Sequence, residues 1–155
     1  MLAVAYTDAE ARQELLDTLA QATDEIGYAV AALGAAYDQV DEISADKLEE
    51  QLFRPVQKAY GRAKRTHAEF AARHGLPGRT FEPQAPGLPS TGARGFIDNS
   101  VEAVGAGGGL IATLQDSPLW LEVGDVELRA GVSEVRELIG VLPQRARELV
   151  RALGR

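Results

Sequence analysis

Leu128, Val132, Val135, Ile139, Leu142, Ala146, Leu149 and Leu153 follow one another at spacings of 4, 3, 4, 3, 4, 3 and 4. Only a helix gathers such positions on one side, as the apolar seam of a seven-residue repeat. A stripe of this kind has to be buried against other helices, and three earlier segments offer matching seams. Leu15, Leu19, Ala22, Ile26, Ala29, Leu33, Ala36, Val40 and Ile43 form the first, flanked by Val30 and Tyr37. Leu48, Leu52, Val56, Ala59, Ala63, Thr66 and Phe70 form the second, and Ile97, Val101, Val104, Gly108, Ile111 and Leu114 the third. The pattern predicts an all-α, single-domain four-helix bundle over residues 1–155, with helices at about 8–43, 45–74, 92–116 and 126–154.

Helix signals punctuate these seams. Thr7 and Glu10 have capping-box spacing, Ser44 suits the N-cap of the second helix, and Asp125 that of the fourth. Pro55 and Pro143 fall inside seams and are expected to loosen or bend them. Gly75, Pro77 and Gly78 end the second helix, Ser90 or Thr91 caps the third, and Asp116-Ser117-Pro118 stops it. The short break at Ser44 implies an antiparallel hairpin, so the expected architecture is two antiparallel hairpins joined by the Pro/Gly-rich linker 75–91. Extended, that linker reaches roughly 55 Å, the length of the bundle, which leaves the direction of the third helix open.

The net charge of −7 is unevenly spread: residues 1–50 hold 12 acids and 2 bases, residues 51–95 hold 2 and 8, and residues 96–155 hold 9 and 6. In the first hairpin this sets Glu14 opposite Arg73, and Asp24 with Glu25 opposite Arg62, Lys64 and Arg65. The acidic total opposes broad nucleic-acid or anionic-membrane binding. Without cysteine there are no disulfides or thiolate metal sites, which suits a reducing cytoplasm. Met1–Tyr6 is apolar but lacks a basic leader and reaches Asp8, too short for a signal peptide, and no apolar run approaches the roughly 20 residues of a membrane span. A soluble protein is expected.

Chemistry is sparse. Gly105, Gly107, Gly108 and Gly109 interrupt the third helix, and each costs on the order of 1 kcal/mol relative to alanine. Close helix contact, an opening for a ligand or partner, and tolerance by a well-packed bundle are the three ways to offset that cost. The run lacks the lysine and hydroxyl of a phosphate loop. His67 and His74 have no glutamate three residues earlier, so no metal set and no cofactor is expected. Trp120, between Leu119 and Leu121, either plugs the end of the bundle or forms an exposed partner-binding knob.

Arg62-Ala63-Lys64-Arg65-Thr66-His67 is similar to the Arg-x-x-x-x-His motif of HEPN-type ribonucleases, with Ala63 where that family usually has a polar residue. The resemblance implies a metal-independent ribonuclease in which Arg62 binds phosphate and His67 activates the ribose hydroxyl. The leading expectation is a non-catalytic interaction or assembly module, with a protein partner or self-association, contacting through the glycine run or Trp120. The alternatives are that ribonuclease and a carrier of a small apolar ligand beside Gly105–Gly109.

Overall fold

The computed structural model describes residues 7–153, and within them the chain is all-helical, with no strand. The expectations for Met1–Tyr6 and for the helix end at residue 154 lie outside the described residues.

Helix α1 (Asp8–Tyr37) starts where the Thr7 hydroxyl accepts the Glu10 N–H at 3.1 Å. Its seam from Leu15 to Ala36 is buried as the spacing predicts. The helix stops six residues earlier than expected, leaving Val40 half-buried and Ile43 exposed. The cause is Asp41, not Ser44: its carboxylate takes both the N–H and the hydroxyl of Ser44, at 2.8 and 3.1 Å, and starts α2 (Glu42–Leu48). Tyr37 correspondingly stands 41% exposed rather than in the core.

From α2 the chain passes through a π-turn (Glu49–Phe53) into α3 (Arg54–Arg73) without a break. Pro55 accounts for the irregularity, since it has no N–H for the carbonyl of Gln51 four residues back. That carbonyl instead accepts from Arg145 Nη1 at 3.3 Å. Leu48, Leu52, Val56, Ala59, Ala63, Thr66 and Phe70 are all buried, so the second seam runs unshifted through the π-turn. Gly27 of α1 lies beneath Tyr60 and Gly34 beside Phe53, which sets α1 and α3 antiparallel.

The linker then travels back along α1. Arg79 bonds Asp24 at 2.8 Å, Gln84 donates to the Asp24 carbonyl, Tyr28 to that of Pro86, and Gln39 to that of Pro89. Helix α4 (Gly92–Asp116) therefore begins beside the end of α1 and runs antiparallel to it. Neither Ser90 nor Thr91 caps it with a side chain; a short 3-10 turn, Pro89–Thr91, leads in through Gly92 at φ +77°. The buried residues of α4 are Phe96, Ile97, Ser100, Ala103, Val104, Gly107, Ile111 and Leu114, so the seam passes through Gly107 where the heptad reading put Gly108, and Val101 is only half-buried.

Ser117 ends α4 and opens the single turn α5 (Pro118–Glu122). Asp125 caps α6 (Val126–Gly140), and Val141 separates it from α7 (Leu142–Leu153). The bend expected from Pro143 falls there. Seven of the eight seam residues from Leu128 to Leu153 are buried, with Leu153 half-buried at the end. Helix α6 runs antiparallel to α3, which it meets at Thr66 and Gly131.

Candidate functional site

The glycine run is continuous helix, and its four glycines have different surroundings. A Cβ on Gly107 would sit 3.4 Å from the Ala22 carbonyl and 3.5 Å from Ile26, so this glycine lets α4 lie close on α1. One on Gly108 would meet only Ile139 at 3.9 Å. Nothing lies within 4 Å of a Cβ on Gly105 or Gly109, which are exposed one turn apart on the outer face of α4. A groove of about 330 Å³ between α1 and α4 is lined in part by Glu25, Glu102 and Asn99, a polar wall rather than an apolar one.

Arg62 and His67 are not brought together. Five residues apart on a helix, they point about 140° away from each other. Arg62 Nε donates to Glu134 of α6 at 2.8 Å. His67 faces the linker, its ring edge-on to Phe81 with centroids 5.3 Å apart, and is 3% exposed. Its Nδ1 is buried with no hydrogen-bond partner. Proton transfer to a substrate needs a ring nitrogen within reach of it, and the buried Nδ1 of this imidazole offers none.

Burial lowers the pKa of His67 below 6.5, with the Arg79 guanidinium acting in the same direction and Asp17 opposing. Between the folded pKa and 6.5 the unfolded chain binds the extra proton, so folding stability is full above about pH 6.5 and declines as pH falls below it. In His67→Leu the orphan nitrogen is gone. Its melting temperature, measured at neutral pH and again near pH 5, is expected to drop less than that of the wild type. An equal drop in both proteins would refute this assignment.

His74 bonds Asp125 at 2.9 Å, beside the paired Arg73, and among the described residues no three acids or histidines converge as a metal set would. Trp120 is 7% exposed and belongs to the core, so the plug reading holds and no exposed indole knob forms. Its carbonyl accepts from Arg129 Nη1, and Gly124 passes so close to that carbonyl that a Cβ would stand 2.3 Å from it. Leu121 alone projects, 78% exposed.

The charge pairing expected within the first hairpin is replaced by another. Arg73 pairs with Asp125 and Arg62 with Glu134, both on the α6 side, while Asp24 takes Arg79 from the linker. Residues of the linker that sequence reasoning passed over, Arg79, Phe81 and Gln84, strap it across α1 and α3. An aromatic and an arginine among prolines were the available signal. Arg79 also lies over the Phe81 ring, 4.7 Å from its centroid. Neither a protein-family model, nor a curated protein, nor a solved structure matches this chain.

Proposed function

We propose that the chain is a four-helix bundle of two antiparallel hairpins acting as a non-catalytic protein–protein interaction or assembly module, with the outer face of α4 as its contact surface. The observation that carries this reading is the pair Gly105 and Gly109. Packing within the chain accounts for Gly107, but these two are exposed, one turn apart, and nothing lies within 4 Å of a Cβ at either. Each weakens the helix by about 1 kcal/mol with no internal compensation. A partner helix whose backbone comes close to α4 at this point supplies the compensation, because a bare backbone permits that approach and a side chain does not. No observation of comparable weight favours the ribonuclease or carrier readings. No described helix is long and apolar enough to cross a membrane. The cysteine-free composition supports placing the module in a reducing cytoplasm.

Two substitutions at the same positions test this. Gly105→Ala/Gly109→Ala is expected to stabilise the isolated chain by about 1–2 kcal/mol in denaturant unfolding, since both Cβ atoms enter open space. Gly105→Leu/Gly109→Leu is expected to keep the fold and abolish association, followed by light scattering across a concentration series and by capture on wild-type bait. Association that persists unchanged in the leucine variant would remove α4 as the contact surface. Absence of any association, with itself or with a captured protein, would remove the reading altogether.

A further inference from the structure

Thirteen arginines occur in the sequence, and among the described residues five of them, Arg54, Arg65, Arg94, Arg147 and Arg151, make no hydrogen bond or ion pair. Three of those five line one groove of about 370 Å³ between α4 and α7. Arg147 and Arg151 stand one turn apart on α7, so a single anion can bridge both guanidinium groups. Arg94 faces them from the first turn of α4. A cation there opposes the positive end of the helix dipole, and this end has neither an acidic residue in its first turn nor a side-chain cap. The last turn of α7 suits Arg151 as a cation, whereas the start of α4 disfavours Arg94, and an anion held between them offsets both that cost and the mutual repulsion of the three unpaired arginines. Asp98 is the one acid in the lining. The floor is apolar, with Val101 and Val150 half-buried and Ala146 buried.

We propose that this groove binds a small organic anion, its carboxylate or phosphate head held by Arg147, Arg151 and Arg94 and a short apolar body lying on Val101, Ala146 and Val150. Asp98 marks the edge from which the charged head is excluded. The size falls within the range of small-molecule sites, roughly 300–1,000 Å³. The proposal stands apart from the contact surface at Gly105 and Gly109, and either can fail without the other.

Calorimetric titration of the full chain at low ionic strength, with decanoate, decyl phosphate and decyltrimethylammonium as probes, tests it. Saturable binding of at least one anionic probe is expected, weakened by added salt, with no binding of the cation. A response to decyl phosphate alone assigns the phosphate head, and a response to decanoate alone the carboxylate. Arg147→Gln/Arg151→Gln is expected to weaken binding at least about tenfold with helical content unchanged. Arg94→Glu is expected to raise the melting temperature of the ligand-free chain, because an acid suits the first turn and can pair with Arg147, and to abolish binding. The proposal is overturned if no anion binds up to about 1 mM, if the cationic probe binds as well as the anions, or if the arginine-to-glutamine variant binds like the wild type. A fall in melting temperature for Arg94→Glu would likewise overturn the argument from unpaired charge.

Discussion

Gly131→Ala is expected to destabilise the fold by about 2 kcal/mol, although alanine is the better helix former by up to about 1 kcal/mol. A Cβ at position 131 would stand 2.2 Å from Thr66 Oγ1, 2.8 Å from its Cγ2 and 3.0 Å from its Cβ. Thr66 cannot swing aside easily. It is β-branched, and its hydroxyl is engaged with the Arg62 carbonyl at 2.8 Å. The helices must part instead, loosening Ala63 and Phe70 of α3 from Leu128, Val132 and Val135 of α6, all of them core residues. Denaturant unfolding of the single variants and of Gly131→Ala/Thr66→Ala measures the clash directly. Removing the threonine branches is expected to restore about 1 kcal/mol or more relative to Gly131→Ala alone. Additive losses would show that α3 and α6 do not meet at this point.

Why that contact escaped a reading of the sequence shows where pattern arguments stop. The apolar repeat placed the buried face of α6 and α7 at Leu128 through Leu149, and that of α3 at Leu48 through Phe70, because side-chain period alone decides which face is buried. It carried the first helix too far, since Val40 and Ile43 stay in phase across a turn that Asp41 imposes by hydrogen bonding. In α4 it placed Ile97, Val104, Ile111 and Leu114 on the buried face and missed at Val101 and Gly108: Gly107 and Gly108 have no side chains to distinguish them, and only the approach of Ala22 and Ile26 shows that Gly107 faces α1. An antiparallel α1–α3 hairpin sets the arginines of α3 opposite the acids of α1, yet α3 has two neighbours, and Arg62 and Arg73 lie on the side of α6. The course of the linker depends on single contacts such as Gln84 with the Asp24 carbonyl, which join residues far apart in sequence and have no periodicity. The same holds for the candidate sites. The glycines of α4 were visible as a helix-propensity anomaly, whereas the convergence of Arg94 with Arg147 and Arg151 exists only once α4 and α7 are packed.

Asp125→Ala is expected to cost about 2–3 kcal/mol, the sum of a lost cap and a lost ion-pair network. One carboxylate does three things at the junction of α3 and α6. Oδ1 accepts the Leu128 N–H at 2.8 Å and starts α6; Arg73 grips both oxygens, each at 2.9 Å; and His74 Nε2 lies 2.9 Å from Oδ2. Burial by itself would raise the pKa of Asp125. The Arg73 hydrogen bond, the Leu128 N–H and His74 outweigh it and bring the group from 3.8 down to about 2. A carboxyl lowered in this way contributes about 2 kcal/mol while ionised. Because the folded value lies below the unfolded one, that contribution is complete above about pH 4 and mostly gone by about pH 2. Asp125→Asn separates the two roles. Asparagine caps a helix about as well as aspartate but cannot ion-pair with Arg73, so its cost at neutral pH is expected to be about half that of alanine. The gap in unfolding free energy between wild type and Asp125→Asn should then close as pH is lowered from 4 to 2, while the other carboxylates titrate alike in both proteins. A gap that stayed constant over this window would mean that the Arg73 pair contributes nothing and that Asp125 serves the fold as a cap alone.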